Sequence, residues 1–211
     1  MSKLDPRRSR AVPPPLPRSA QTTRAVPPAP PVSGTYRRIP LRPIARRPAA
    51  ILLERAREID PRAPGVLAIA EALVTTLRAA NGSSLTGPQI GESVRMLVMD
   101  VTGHPRARSS AGLVVMVNPR IVERDGWVEW VETCASVPTL MGEVWRNARV
   151  TVEGFEPGTT RILRIEADAV EARCLQHAID HLDGYSFMER TEKRFVRSTY
   201  AGTTPQPRCG D

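Results

Sequence analysis

The stretch RCLQHAIDHLDGY, residues 173–185, sets two histidines, His177 and His181, four residues apart. On a helix of 3.6 residues per turn this spacing puts both imidazoles on one face, where they can meet at a single ion. Two such ligands do not make a site, because a helical pair of this kind often only packs or hydrogen-bonds. A third candidate stands in VETCASVP, residues 131–138, where Cys134 occupies a turn-like segment directly after a strand-like run. A thiolate with two neutral imidazoles gives a divalent metal three protein ligands and leaves a fourth position for water, the count of a catalytic rather than a structural site. The residue after the first histidine is Ala178, where the H-E-x-x-H pattern of metal hydrolases keeps a glutamate.

The elements that must position these residues are legible as periodicity. From residue 61 the chain turns helical, with Val66, Leu67, Ala70, Leu73, Val74 and Leu77 at core-facing spacing and Asn81-Gly82 as a stop signal. After the loop SSLTGPQIGES come VRMLVMDV (94–101) and GLVVMVNPRIV (112–122), rich in β-branched residues and bounded by turn formers, which predict strands. WVEWVE (127–132), ARVTVEGF (149–156) and TRILRIEA (160–167) alternate apolar and polar residues, as antiparallel strands with one wet face do. A last helix runs from about Asp168 to Asp183. Helix, several strands, helix, without regular alternation, predicts an α+β fold.

The formal charge of +8 over 211 residues is unevenly placed. Residues 1–48 hold 11 of the 30 basic residues and one acid, a net of +10, so the remaining 19 basic and 21 acidic residues leave 49–211 at −2. The same 48 residues hold 12 of the 21 prolines, and with few large hydrophobes they predict a disordered Pro/Arg-rich tail. The prolines oppose both the apolar core of a secretory signal and the helix of a transit peptide. The tail reads as a leader without a role of its own, or as a weak attractant for an acidic partner such as ribosomal RNA. Residues 49–190 are expected to form one domain and 191–211 a flexible C-terminal tail. No apolar run is long enough to span a membrane, and three cysteines in a chain without an export signal suit a reduced, cytoplasmic protein.

Three ordered motifs together resemble the peptide deformylases. GSSLTGPQIG (82–91) is similar to the family's G-x-G-x-A-A-x-Q through Gly82, Leu85, Pro88, Gln89, Ile90 and Gly91, and ETCAS to its E-G-C-L-S through Glu132, Cys134 and Ser136, followed by Val137-Pro138. QHAIDHLDG matches Q-H-E-I-D-H-L-D-G at every position except Ala178. The resemblance implies antiparallel β-sheets packed around a C-terminal metal-binding helix. It also implies one divalent ion, ferrous iron first and zinc or nickel as substitutes, held by Cys134, His177 and His181. The implied reaction removes the formyl group from the N-terminal methionine of nascent polypeptides. In it the Gln89 side chain and the backbone N–H of Ala135 would stabilise the developing oxyanion. Glu132 and Arg146 resemble a buried ion pair that braces the cysteine turn. Asp180 is either a residue that orients a ligand or a plain solvated helix position. The expected form is a monomer.

The departures from the motifs bear on activity. A glutamate at position 178 would take a proton from water and deliver it to the leaving amine, and alanine does neither. Ser84 and Thr86 replace small residues of the first motif, Thr133 the glycine and Ala135 the leucine of the second, and Met141 stands where an arginine is common. Three readings stay open: a slow deformylase, a metal-loaded protein that binds formyl-methionyl ends without turnover, and a relic whose histidines only pack.

Overall fold

The computed structural model describes residues 36–191 except residue 109. Helix α1 (Val66–Ala80) starts after Gly65 and stops at Asn81, both in the left-handed region. Seven strands follow: β1 (Ser84–Thr86), β2 (Met96–Met99), β3 (Val114–Asp125), β4 (Val128–Cys134), β5 (Val137–Arg146), β6 (Arg149–Phe155) and β7 (Ile162–Asp168). Helix α2 (Ala169–Leu182) closes the series. Five strands form one antiparallel sheet in the order β1-β2-β3-β6-β7, and β4 and β5 form a separate two-stranded hairpin.

The sheet is covered on both faces, which explains the unbroken apolar runs of β2 and β3. Leu97, Met99, Val114 and Met116 share one buried cluster with Val170, Leu175, Ile179 and Leu182 of α2. The alternate residues Met96, Val98, Val115 and Val117 share another with Val66, Leu73, Val74 and Leu77 of α1. On β7, by contrast, Leu163, Ile165 and Ala167 are buried while Ile162, Arg164 and Glu166 face solvent, the alternation of a strand covered on one side. Leu67, expected in the core, is instead 55% exposed, and it lies beside Gly158 at the rim of α1.

Two strands escaped the sequence reading. β1 is only three residues long, inside what reads as a loop. β5 is interrupted in sequence by Pro138 and Gly142; an edge position tolerates the proline because, among the described residues, one side of β5 has no ladder to complete beyond a single bridge from Val144 to Thr191.

The boundary at residue 48 is corrected by the structure. Residues 1–35 lie outside the described residues, as do 192–211, but residues 36–48 form an extended strap on the fold. The backbone N–H groups of Arg37, Ile39 and Arg42 donate to the side chains of Glu71, Thr75 and Thr76 on α1. Further on, Ala45 N–H donates to the Gln89 carbonyl at 2.8 Å and Arg47 N–H to the Ser136 carbonyl at 3.0 Å. Tyr36, Ile39 and Ile44 pack against the α1 cluster. A proline-spaced segment has no helical or strand period of its own, so only these partners, distant in sequence, fix it.

Candidate metal centre

Helix α2 is buried along all but its first residue, because one side meets the sheet and the other meets the β4–β5 hairpin and its flanks. That second side carries His177 and His181, with ring centroids 5.0 Å apart. β4 ends at Cys134, where the hairpin register shifts and the chain turns through Ala135 and Ser136 into β5. The turn brings the Cys134 Sγ to 3.0 Å from His181 Nε2. One ligand atom from each of Cys134, His177 and His181 lies within 4.8 Å of the others, and none of the three residues is more than 3% exposed.

The surroundings fix how these atoms are presented. Glu132, 1% exposed, accepts from Arg146 Nε and Nη2 at 2.8 and 2.9 Å, from Arg173 Nη1 at 2.6 Å, and meets His177 Nδ1 at 2.9 Å. A carboxylate at Nδ1 keeps the proton there and leaves Nε2 of His177 as a lone pair for the cluster. Burial alone pushes Glu132 up, but the Arg146 charge and hydrogen bonds hold it well below the usual carboxylate range. Arg146 also pairs with Asp180, which pairs in turn with Arg190 at 2.7 Å. Asp180 is thus 6% exposed and engaged on both oxygens, not a solvated helix residue. Burial likewise pushes the Cys134 thiol up, and His181 and His177 more than offset it, holding the thiol well below its usual range. His181 Nδ1 is buried without a hydrogen-bond partner among the described residues.

This donor set suits a divalent metal of borderline softness: one readily ionised thiol and two imidazoles, converging in a dry setting. Gln89 stands at its edge, on the 3-10 turn Pro88–Ile90. Its Nε2 donates to Ser136 Oγ at 3.1 Å and reaches the Cys134 Sγ at 3.9 Å. Ser136 N–H also donates to that sulfur, at 3.4 Å. Ala135 is half-buried in the same turn. Ala178 is 1% exposed and belongs to the apolar cluster between α2 and the sheet. Among the described residues, no aspartate or glutamate joins the three-residue group.

Four contributors were missed or passed over in sequence. Arg173 lies one helical turn before His177, and a charged residue on an otherwise buried helix face is the signal that marks it. Phe187, fully buried, stacks on His177 with centroids 6.5 Å apart. Thr86 stood out in sequence only as a departure from the first motif, although its partner Gln89 is three residues on, and Arg190 carries no local signal, since it meets Asp180 only in the fold.

Fold and site define a class: α+β proteins with a Cys/His/His cluster able to hold a metal, built from a hairpin turn and a buried helix. Residues 41–195 match the family model for polypeptide deformylase, and the chain belongs to that family. A peptide deformylase of Carboxydothermus hydrogenoformans is 39% identical over 142 residues, 67% of this chain and 88% of the relative. One of Desulforudis audaxviator is 36% identical over 156 residues, 73% and 96% of the two chains. The crystal structure of peptide deformylase from Thermus thermophilus superposes with a TM-score of 0.63 at 36% identity, covering 71% of this chain and 85% of that one.

Proposed function

We propose that this chain holds one divalent metal ion, ferrous iron in preference to zinc or nickel, on Cys134, His177 and His181. It takes formyl-methionyl N-termini of nascent polypeptides into the site and hydrolyses the formyl group slowly. The observation that carries this reading is a complete, oriented ligand set next to an alanine at position 178. When bound, the metal supplies a Lewis acid and an acidified water.

The protein's own residues do the rest. Glu132 keeps the His177 proton on Nδ1, Gln89 Nε2 donates to the formyl oxygen, and the Ala135 N–H offers a second donor as negative charge develops there. The proton must still pass from water to the leaving amine, and the methyl of Ala178 carries none. Glu132 is committed to two arginines and His177, and Asp180 to Arg146 and Arg190, so neither substitutes. General acid–base catalysis contributes about 10²–10⁴-fold, roughly 3–5 kcal/mol of barrier, and that factor is what the chain lacks. These committed carboxylates also favour a second reading, a protein that captures formylated ends without turnover.

No helix among the described residues is long and apolar enough to cross a membrane. The reading places a monomer in the cytoplasm, with the basic residues 1–35 drawing it weakly to ribosomal RNA. The deciding experiment is deformylation of a formyl-Met peptide by anaerobically purified, metal-quantified protein beside Ala178→Glu. Slow turnover that Ala178→Glu raises by about 10²-fold or more supports the first reading. Turnover only in Ala178→Glu supports the second. No turnover in either, with metal bound, overturns both assignments of the missing step to position 178.

A further inference from the structure

The Gln89 amide is held from behind by a residue the family motif does not supply. Gln89 Oε1 accepts two hydrogen bonds from one residue, the Thr86 backbone N–H and the Thr86 hydroxyl, each at 3.1 Å. Thr86 is 0% exposed and Gln89 3%, so water does not compete for that oxygen. An amide's oxygen and nitrogen have nearly the same shape, and the donors and acceptors around them decide which way they point. On the far side, Ser136 Oγ is indifferent, since a hydroxyl either gives or accepts. The choice therefore falls to the Thr86 backbone N–H, which can only donate and so selects the oxygen; the Thr86 hydroxyl then gives that oxygen a second bond, and the amide hydrogens are left facing Ser136 and the Cys134 sulfur. The hydroxyl is the variable part, because the motif otherwise carries alanine at this place, which keeps the N–H alone.

We propose that Thr86 is a positioning residue for Gln89: its N–H selects the amide oxygen, its hydroxyl clamps that oxygen with a second bond, and together they keep an N–H donor aimed at the Cys134/His177/His181 cluster, where a formyl oxygen would sit. A second donor on Oε1 also polarises the amide, which strengthens its N–H groups as donors. That the acceptor is a formyl oxygen rests on the function proposed above; that Thr86 sets the direction of the amide does not.

The test uses full-length protein loaded with zinc, in parent, Thr86→Val and Thr86→Ser forms. Thr86→Ala, the residue of the family motif, replaces valine if that variant does not fold. Three quantities are read: the Gln89 side-chain ¹H–¹⁵N resonances, zinc content, and calorimetric affinities for formyl-Met-Ala and unformylated Met-Ala. Removing the hydroxyl is expected to move the Gln89 resonances and to cut the preference for the formylated peptide by about tenfold, the worth of one buried hydrogen bond, at unchanged zinc content. Serine is expected to keep both. Unchanged resonances in the hydroxyl-less variant overturn the proposal, as does a serine variant impaired as much as valine. If the parent shows no preference for the formylated peptide, the functional reading falls, and the resonances alone still decide the role of Thr86.

Discussion

Glu132→Gln tests how the candidate metal centre is held. The substitution keeps shape and removes one charge at a point where Arg146, Arg173 and His177 converge at 2.6–2.9 Å. Arg146 retains Asp180 as a counter-charge, while Arg173, 2% exposed in its side chain, retains only neutral acceptors, the carbonyls of Val144 and Val128. Breaking a buried pair by neutralising one partner costs about 3–5 kcal/mol, against a total stability of about 5–15 kcal/mol for a domain. The new amide also has one acceptor where four donors met. If its NH₂ faces His177, the imidazole must give up its Nδ1 proton, and Nε2 then carries the proton that blocks ligation. Loss of such an orienting carboxylate lowers metal affinity about 10–100-fold. Urea unfolding of the metal-free protein reads the first quantity, and zinc competition against a chromophoric chelator reads the second. An exposed pair provides the control: Glu153→Gln, facing Arg120 and Arg164, should leave stability close to that of the parent. A Glu132→Gln protein that loses under about 1 kcal/mol and keeps its zinc affinity would refute the reasoning.

Other perturbations reach the same centre from different sides. Gly87→Ala drives a Cβ into the Val94 carbonyl and to 2.8 Å from that of Glu92; rigid backbone must shift, so a loss of about 1–3 kcal/mol is expected by chemical denaturation, with weakened formyl-peptide binding as the Gln89 turn moves. Phe187→Ala empties a fully buried ring site beside His177 and should cost about 3–5 kcal/mol, whereas Phe187→Leu should recover most of it. Glu171 behaves oppositely to Glu132: burial pushes its carboxyl up, and Asp168 adds to that, while the Ala111 N–H it accepts at 2.7 Å partly offsets both. A raised folded value means the group stabilises the fold when protonated, below the ordinary carboxylate range, and loses that contribution as pH rises through its folded value. Glu171→Gln should therefore be at least as stable as the parent at pH 7, with the gap closing towards about pH 4; a variant less stable at pH 7 and equal at low pH would reverse the argument.

The parts of this molecule that repeat locally were legible in its sequence, and the parts that depend on distant partners were not. Helices α1 and α2 fall within a few residues of their periodic patterns, and the alternation of β7 marks its wet face, whereas on β4 and β6 the polar Glu132 and Thr151 turn out to be buried. The candidate ligand residues were legible because H-x-x-x-H and a turn cysteine are chemical patterns, and the structure brings all three side chains together. Asp180 could be read as solvent-facing because nothing within a turn of it opposes its charge; Arg146, which does, lies 34 residues away. Arg173 binds a carboxylate 41 residues earlier. The strap was hidden for the same reason, since its N–H groups are satisfied by Thr75 and Thr76 rather than by a ladder of its own.

That strap imposes an order of events on the growing chain. Ala45 and Arg47 are bonded to Gln89 and Ser136, and the Arg47 guanidinium joins Ser186 and Glu189, 139 and 142 residues further on. Each contact closes a long loop, whose entropy must be met before the contact returns anything. Residues synthesised before the rest of the domain thus wait, unplaced, until α1, the hairpin and the turn after α2 exist to receive them. The strap adds one bond to each of the turns that carry Gln89 and Cys134, and Arg47 has no Glu189 to meet until the chain has passed α2, so a nascent chain interrupted before Glu189 has Cys134, His177 and His181 in sequence but lacks that tie.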